Sequence, residues 1–315
     1  MKQQTYTLQN IVDLVNITKD YRSFDAKTVL DRKLKLINEF FATEKLDAAV
    51  IALSGGIDSS LVLKLLLKAA SCKNSPIKKV SAIFLPIYSK GTTGQKDAEL
   101  FVKSLLNEKQ HPIKEDLFEY HKYDLSHVAY EYFRTMNLFN SDNEKMLWVH
   151  GQIASIVRTP ATYGQAALLQ TQGYRSIVVG TTNRDEGAYI GFFGKASDGM
   201  VDLQPIGDLH KSEVIELAKL LNVPKEIIDR VPKGDVWDGK CDEEMIGAPY
   251  WFLEMYIILK EMNADYLLDT LLNEPELPKY MGWKMNIENL HFQNKHKYKV
   301  GSPARYVYLP RRLYL

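Results

Sequence analysis

A run of small and polar residues, Ser54-Gly55-Gly56-Ile57-Asp58-Ser59, has the composition of a phosphate-binding loop. The glycines let the backbone approach an anion closely, and amides at the start of a following helix can donate to phosphate oxygens. Asp58 supplies a carboxylate, the ligand type that Mg²⁺ prefers. The run has neither the Gly-Lys-Ser/Thr ending of a Walker loop nor Gly-x-Gly-x-x-Gly spacing. A glycine-rich turn with a serine helix cap is the alternative interpretation.

The segments on either side of this loop predict a strand before it and a helix after it. Residues 48–53 form an uninterrupted apolar run, typical of a strand that is buried on both faces of a parallel sheet. Ser59 and Ser60 precede a leucine-rich segment in the manner of a helix cap. The loop is therefore expected where a parallel strand passes into a helix.

The same alternation continues along the chain. Strands are predicted within residues 79–86, 119–124 and 176–180, and helices within residues 8–45, 95–107, 211–221 and 251–272. Helical material leading up to residue 170 is expected to kink or break at Pro160. The pattern predicts an α/β fold, a doubly wound parallel sheet with helices on both faces and ligands at the carboxyl ends of its strands.

Residues 1–315 are interpreted as one domain, with a helical N-terminal segment at 1–45 and a basic tail at 275–315. The segment 181–204 is long and rich in glycine, which suggests a functional loop.

The composition favours an ordinary globular protein, with 45% hydrophobic residues and 40 Lys and Arg against 39 Asp and Glu. This balance gives no global electrostatic reason to expect nucleic acid or an anionic membrane as a partner. No apolar run reaches the length of a membrane span, and no signal-like core follows the N-terminus, so we predict a cytoplasmic protein. Cys72 and Cys241 are too few for a four-thiolate metal site and are interpreted as ordinary thiols.

A second set of residues follows the predicted strand 176–180 in a defined order. The set comprises Gly180-Thr181, Glu186, Gly191-Phe192-Phe193, Lys195, Asp198-Gly199, Asp202-Leu203, Pro205 and Lys211. The 54–59 loop resembles that of the ATP pyrophosphatases, and loop and set together resemble the signature of the ammonia-dependent NAD⁺ synthetases. Asp242-Glu243, Gly247, Tyr250 and His296-Lys297 resemble further motifs of that family. The similarity runs from about residue 30 to about residue 300.

The resemblance implies an adenine nucleotide alpha hydrolase-like fold and a two-step amidation. Amidating a carboxylate needs a better leaving group than hydroxide. In this family the carboxylate of deamido-NAD⁺ attacks the α-phosphate of ATP, pyrophosphate leaves, and ammonia then displaces AMP from the acyl-adenylate. Little covalent work falls to the protein, so catalysis is positioning and charge neutralisation.

The family's site residues are carried over by position in its motifs. Asp58 and Glu186 correspond to Mg²⁺ ligands, and Lys211 corresponds to the phosphate-binding lysine, which makes these three the expected catalytic residues. The implied ATP contacts are Ser54, Gly55, Gly56, Asp58, Ser59, Ser60, Thr181, Lys211 and Lys233. The implied contacts to deamido-NAD⁺ are Arg158, Lys195, Asp198, Asp202, Glu243, His296 and Lys297.

Several of these residues have simpler interpretations when taken singly. Glu186 could be a solvated loop acid, and Lys211 could be a surface residue at a helix start. Phe192 and Phe193 are assigned mainly to packing. His210 is interpreted as non-catalytic.

Three positions depart from the family pattern. Ile156 replaces the first arginine of an Ala-Arg-x-Arg segment, Lys233 replaces an ATP-contacting threonine, and Phe84 replaces an arginine near the adenine. The loss of a charged contact to an anion can cost about 1.5 to 3 kcal/mol. Two alternatives therefore stay open: an ATP pyrophosphatase that adenylates another carboxylate nucleotide or a tRNA base, and a catalytically retired nucleotide-binding homologue. Enzymes that thiolate tRNA commonly use paired cysteines, which disfavours that branch.

Free ammonia is the expected nitrogen donor, because a glutaminase needs a nucleophilic cysteine with its own domain. A separate ammonia-supplying glutaminase is an open alternative.

A homodimer is implied by the resemblance, since the family dimerises through the helices around Ala-Arg-x-Arg. Residues 146–170 are also apolar on more than one face, an excess that a two-fold contact would bury. The apolar residues are Trp148, Ile153, Ile156, Val157, Tyr163, Ala166, Ala167 and Leu168. The alternative is that these helices lie at the centre of a monomeric core.

Overall fold

The computed structural model describes residues 10–87, 93–106, 116–138, 144–231, 241–299 and 305–306. Six strands of these residues form one sheet in the order β3-β2-β1-β4-β5-β6, and every neighbouring pair is parallel. The strands are β1 (Ala48–Ala52), β2 (Lys79–Phe84), β3 (Phe118–Lys122), β4 (Ser176–Val179), β5 (Leu203–Gln204) and β6 (Arg305–Tyr306).

Helices connect and cover these strands. They are α1 (Ile11–Arg22), α2 (Ala26–Thr43), α3 (Ile57–Ala70), α4 (Thr93–Leu106), α5 (Ser126–Thr135), α6 (Glu144–Ile156), α7 (Arg158–Thr171), α8 (Lys211–Leu220), α9 (Lys225–Ile228), α10 (Asp242–Ile246), α11 (Tyr250–Glu261), α12 (Leu277–Asn294) and α13 (His296–Lys299). A π-helical turn at Asp185–Tyr189 and a 3₁₀ turn at Asp265–Thr270 complete the elements. None of the described helices is long and apolar enough to cross a membrane.

The strand order reverses at β1. Ala48 pairs with Lys79 of β2 on one side and with Ser176 of β4 on the other. The chain winds from β1 through β2 to β3, and then returns to β4 and continues in the opposite direction. The carboxyl ends of β1 and β4 therefore flank the point where an open α/β sheet binds its ligands.

Both faces of the sheet are covered, as the apolar run at residues 48–53 predicts. Ala49 and Ile51 join the core cluster formed with α2, α3 and α8, whereas Ala48 and Val50 face α7 in a second cluster. All four side chains are fully buried. The prediction of a doubly wound parallel sheet with helices on both faces is confirmed.

Two predicted element boundaries are corrected. The helix expected over residues 251–272 ends at Glu261, because Asn263 adopts a left-handed φ of 54°. The break expected at Pro160 occurs earlier, at Val157 between α6 and α7. Pro160 is tolerated in the first turn of α7 because backbone N–H groups there have no partner within the helix.

Most of residues 275–299, part of the tail that sequence left without assigned structure, form helix α12. Tyr280 and Ile287 of this helix are buried with α1 and α11 in a separate cluster beside the sheet. Helix α12, the described helical part of this tail, therefore contributes to the core.

Two ion pairs hold the loop that precedes α8. Lys33 of α2 is fully buried, pairs with Asp208 and donates to the carbonyl oxygen of Pro205 at 2.6 Å. Arg22 of α1 pairs with Glu213 at 2.5 Å and donates to the carbonyl oxygen of Asp208 at 2.7 Å. Helices α1 and α2 therefore hold the segment that leads into α8 and Lys211.

Candidate active site

The 54–60 loop has the conformation that its sequence predicts. It leaves β1 and enters α3 with Gly56 as the helix N-cap, and Gly55 has a φ of 85° that strongly favours glycine. The hydroxyls of Ser54 and Ser59 lie 3.1 Å apart and brace the turn. Ser60 is fully buried, and its hydroxyl has no hydrogen-bond partner among the described residues. The loop presents helix N-terminal amides beside Asp58, a suitable place for an anion.

Asp58, Glu186 and Lys211 come together although 153 positions separate the first from the last. The Lys211 Nζ donates to Asp58 Oδ2 at 2.6 Å and to Glu186 Oε1 at 3.4 Å. The Lys211 side chain is 5% exposed, and the Asp58 and Glu186 side chains are 19% and 17% exposed. The three groups thus form a half-open site at the carboxyl ends of β1 and β4.

Asn183 holds the two carboxylates together, and sequence reasoning missed it. Its Nδ2 donates to Asp58 Oδ1 at 3.0 Å and to Glu186 Oε1 at 2.7 Å, and its Oδ1 accepts from the Glu186 backbone at 3.1 Å. Tyr250 was noted only as part of a motif, yet its hydroxyl donates to Glu186 Oε1 at 3.1 Å. Asn183 lies three positions before Glu186, about one helical turn away. That spacing could have identified it, but the segment was interpreted as a loop.

Burial and the neighbouring charges shift the pKa values of the site residues. Burial raises the pKa of Glu186 to about 7, and the negative charge of Asp58 adds to that effect while Lys211 opposes it. Burial alone would lower the pKa of Lys211, but Asp58 and Glu186 together raise it above its ordinary value. Burial, with Glu186 next, raises the pKa of Tyr250 well above its usual range. Lys211 is therefore an ammonium ion at neutral pH.

The carboxylates fit a hard divalent cation. Oxygen atoms of Asp58 and Glu186 both converge on the Lys211 ammonium, so the pair already shares one position for positive charge. Two carboxylates with partial access to solvent are a donor set that suits Mg²⁺, which keeps several of its waters.

A cavity of about 100 Å³ adjoins the carboxyl end of β4. Arg158, Thr181 and Asp198, three residues predicted to contact ATP or the acceptor, line it together. Arg158 donates from Nε to the carbonyl oxygen of Leu85 at 3.1 Å, which holds the start of α7 against the end of β2. The assignment of Thr181 to ATP, and of Arg158 and Asp198 to deamido-NAD⁺, stays a prediction.

The other predicted acceptor contacts make mainly local bonds. Asp202 accepts from the Val178 backbone at 2.8 Å, Glu243 accepts from the Tyr250 backbone at 2.8 Å, and His296 is exposed and bonds to the carbonyl oxygen of Gln293. Their roles in binding stay predictions.

The predicted Lys195 and Lys297 lie near one another. Lys297 donates to the carbonyl oxygens of Gly191 and Phe193 at 2.7 and 2.6 Å. Burial and the nearby Lys195 lower the pKa of Lys297. Lys297 therefore holds the 191–193 turn in place, whatever it binds in addition.

The departures from the family pattern have different surroundings. Phe84 is buried at the end of β2, whereas Ile156 at the end of α6 is partly exposed, and Lys233 lies outside the described residues. Phe193 is buried and Phe192 packs against the cluster of α1, α11 and α12, which agrees with their assignment to packing.

Comparisons with known proteins identify the family of this chain. The NAD synthase family model matches residues 29–301. An NH(3)-dependent NAD(+) synthetase of Picrophilus torridus is 34% identical over 74% of this chain and 82% of its own length. One of Thermoplasma volcanium is 28% identical over 87% and 95% of the two chains. The solved structure of NMN synthetase from Francisella tularensis is 26% identical, with a TM-score of 0.67 over 88% of this chain and 98% of that one. This chain therefore belongs to the NAD synthase family.

Proposed function

We propose that this protein is a ligase that forms carbon–nitrogen bonds, converting deamido-NAD⁺ to NAD⁺ with ATP and free ammonia. The observation that carries the proposal is the convergence of Asp58, Glu186 and Lys211 beside the 54–60 loop, at the switch point of the sheet. Family membership and the ammonia-dependent synthetases among its relatives support the reaction class.

The reaction proceeds in two displacements. A carboxylate oxygen of the acceptor attacks the α-phosphorus of ATP, and the bond to the β-phosphate oxygen breaks to release pyrophosphate. Ammonia then attacks the acyl carbon, loses a proton, and displaces AMP with the oxygen that joined it to the acyl group. The protein aligns these groups and stabilises developing charge.

The residues of the site divide this work. The amides at the start of α3 donate to phosphate oxygens of the departing pyrophosphate. Lys211, an ammonium at neutral pH, neutralises charge on the same leaving group. Asp58 and Glu186 would hold Mg²⁺, which would supply positive charge to offset the negative charge of the leaving pyrophosphate. Asn183 keeps the two carboxylates at a fixed separation.

A second acceptor is favoured by a specific comparison. The structure with a TM-score of 0.67 is an NMN synthetase, an enzyme named for a mononucleotide product. The amide of that product derives from nicotinic acid mononucleotide, a carboxylate that uses the same adenylation chemistry. Ile156 in place of the family's arginine removes one cationic contact to an anionic acceptor. The mononucleotide is therefore the alternative acceptor.

One assay separates these candidates. Purified protein is incubated with Mg-ATP, ammonium and either acceptor, and AMP, pyrophosphate and the amide product are quantified. We expect both AMP and NAD⁺ with deamido-NAD⁺, and a higher kcat/KM for that acceptor than for the mononucleotide. A preference for the mononucleotide would support the second candidate. Absence of AMP with both acceptors would refute amidation of these two nucleotides, and would leave a retired homologue or another acceptor. Glutamine in place of ammonium tests the nitrogen source.

We further propose that the protein is a cytoplasmic homodimer. Ile153 and Val157 are buried against α5 within the chain, so they no longer require a partner. Leu168 is 53% exposed, however, and Val128 and Tyr132 of α5 are 50% and 44% exposed. The side chain of Trp148 lies outside the described set. Light scattering at micromolar concentration should give twice 36.1 kDa, and a mass near that of one chain with full activity would refute the dimer.

A further inference from the structure

A second pair of titratable side chains, Asp185 and His210, lies beside the carboxylate and lysine site. Both side chains are 0% exposed. Asp185 immediately precedes Glu186 in the chain, and His210 immediately precedes Lys211. We infer that Asp185 and His210 form a positioning pair that fixes the distance between Glu186 and Lys211 during adenylation. This inference rests on the proposed function.

The Asp185 carboxylate joins the two segments that carry the site. Its Oδ1 accepts from His210 Nδ1 at 2.6 Å, and its Oδ2 accepts from the Lys211 backbone N–H at 2.7 Å. The first N–H groups of a helix have no partner within the helix, and a negative charge is favourable there. One carboxylate from the π-helical turn therefore caps α8 at the residue whose side chain enters the site.

The His210 imidazole donates to Asp185 through one defined ring nitrogen, Nδ1. Because the Asp185 oxygen can only accept, Nδ1 of His210 carries the proton and the other ring nitrogen is unprotonated in the neutral tautomer. That nitrogen, Nε2, is buried and has no hydrogen-bond partner among the residues the structure describes. A buried polar atom without a hydrogen-bond partner lowers the stability of the fold. The fold therefore keeps the Nδ1 bond to Asp185 although Nε2 costs it stability, as is common at functional sites.

The pair also explains how the Lys211 side chain can move from Asp58 to a phosphate group while its backbone stays bonded to Asp185. Its Nζ now lies 2.6 Å from Asp58 Oδ2 and 3.4 Å from Glu186 Oε1. To reach phosphate oxygens, the side chain must rotate away from Asp58. Its backbone nitrogen can stay on Asp185 through that rotation. Small errors of placement matter, because a displacement of about 1 Å can lower a rate about 100-fold.

A metal centre is the competing explanation of this cluster. Asp185, His210 and Glu254 offer ligand atoms within 4.8 Å of one another. Both oxygens of Asp185 already accept hydrogen bonds, and a Glu254 oxygen accepts from the Ser212 hydroxyl at 2.8 Å. A cation would have to displace those donors, so the hydrogen-bonded pair is the better description.

Two substitutions at His210 test the pair. His210→Asn places an amide N–H near the former Nδ1 position, whereas His210→Leu keeps apolar bulk without a donor. We expect His210→Leu to lower kcat by about 10- to 100-fold, the range typical of groups that support a metal ligand. The KM for the acceptor should stay unchanged, because the pair does not contact it. His210→Asn should recover most of the lost kcat.

Thermal unfolding and metal content are measured on the same samples. An equal loss of kcat in both variants, or wild-type kcat in His210→Leu, would overturn the positioning pair. So would stoichiometric zinc in the purified wild-type protein that His210→Asn loses. If His210→Leu does not fold, Asp185→Asn is used, with a comparable loss of kcat at unchanged acceptor KM expected and wild-type kcat overturning the pair.

The proposed function can fail separately. If the wild-type protein amidates no acceptor, the pair is tested by calorimetric titration with Mg²⁺ and a non-hydrolysable ATP analogue. His210→Leu should then bind the analogue about tenfold more weakly than both wild type and His210→Asn. Equal affinity in all three would overturn the pair.

Discussion

Glu186→Gln should stabilise the metal-free protein at alkaline pH while abolishing adenylation. Burial raises the pKa of Glu186 to about 7, above the ordinary value of 4.5. A group whose pKa is raised on folding contributes stability that is complete below its unfolded pKa and is lost as pH rises through its folded pKa. Wild-type protein should therefore lose this contribution between pH 4.5 and pH 8.

The magnitude follows from the two pKa values. Their difference of about 2.5, at about 1.4 kcal/mol for each pKa unit, corresponds to about 3 kcal/mol. A glutamine side chain cannot ionise, but its oxygen can still accept from Asn183 and from Tyr250, which now bond to Glu186 Oε1. We therefore expect the variant to be more stable than wild type by up to about 3 kcal/mol at pH 8, and nearly equal to it at pH 4.5.

Urea unfolding in the presence of EDTA measures this difference at both pH values. Glu39→Gln is the matched control, because the Glu39 side chain is 55% exposed and its ion pair with Lys35 lies on the surface. With Mg-ATP the stability difference at pH 8 should shrink, because wild type gains more binding energy from the ligand than the variant does. The reasoning is refuted if the difference between wild type and Glu186→Gln does not change with pH, or if the variant is the less stable protein at pH 8 in EDTA.

Four further outcomes are expected. Asp58→Asn should remove Mg²⁺-dependent pyrophosphate release and leave the fold intact, and near-wild-type turnover would place the metal elsewhere. Asn183→Leu should weaken Mg²⁺ activation of AMP formation by about 10- to 100-fold, and an unchanged Mg²⁺ titration would show that the carboxylates hold their own separation. Lys33→Met removes the buried ammonium partner of Asp208 and should lower the free energy of unfolding by about 3 to 5 kcal/mol in urea, whereas a loss under 1 kcal/mol would contradict that reading. Calorimetry in two buffers should show Mg²⁺ binding release close to one proton at pH 6 and almost none at pH 9, because Glu186 must ionise to bind the cation.

Local patterns were sufficient to predict the sheet and the phosphate loop. The apolar run at residues 48–53 has no polar face, which requires cover on both sides and hence a parallel sheet between helices. The glycines of the loop and the nearby Asp58 indicate anion and metal binding within a few consecutive residues. These features depend on neighbours in the chain, so sequence was enough.

Boundaries and the C-terminal segment were less predictable. Asn263 adopts a left-handed φ and ends helix α11. No glycine or proline marks that end in the sequence, so the boundary was not predicted. Helix α12 buries only a few side chains, including Tyr280 and Ile287, against α1 and α11. Because that contact joins residues that are far apart in the chain, its apolar pattern was too sparse to identify the helix.

The sequence by itself determined the fold class, the anion-binding loop, and the residue types that could hold a metal and a phosphate. Only the tertiary structure decided that Asn183 bonds to both carboxylates, and that His210, interpreted as non-catalytic, forms a buried pair with Asp185. The physical reason is that hydrogen bonds are directional and act within about 3 Å. Spacing along the chain indicates which residues approach the switch point, but the partner of each donor depends on how β1, the π-helical turn and α8 pack together.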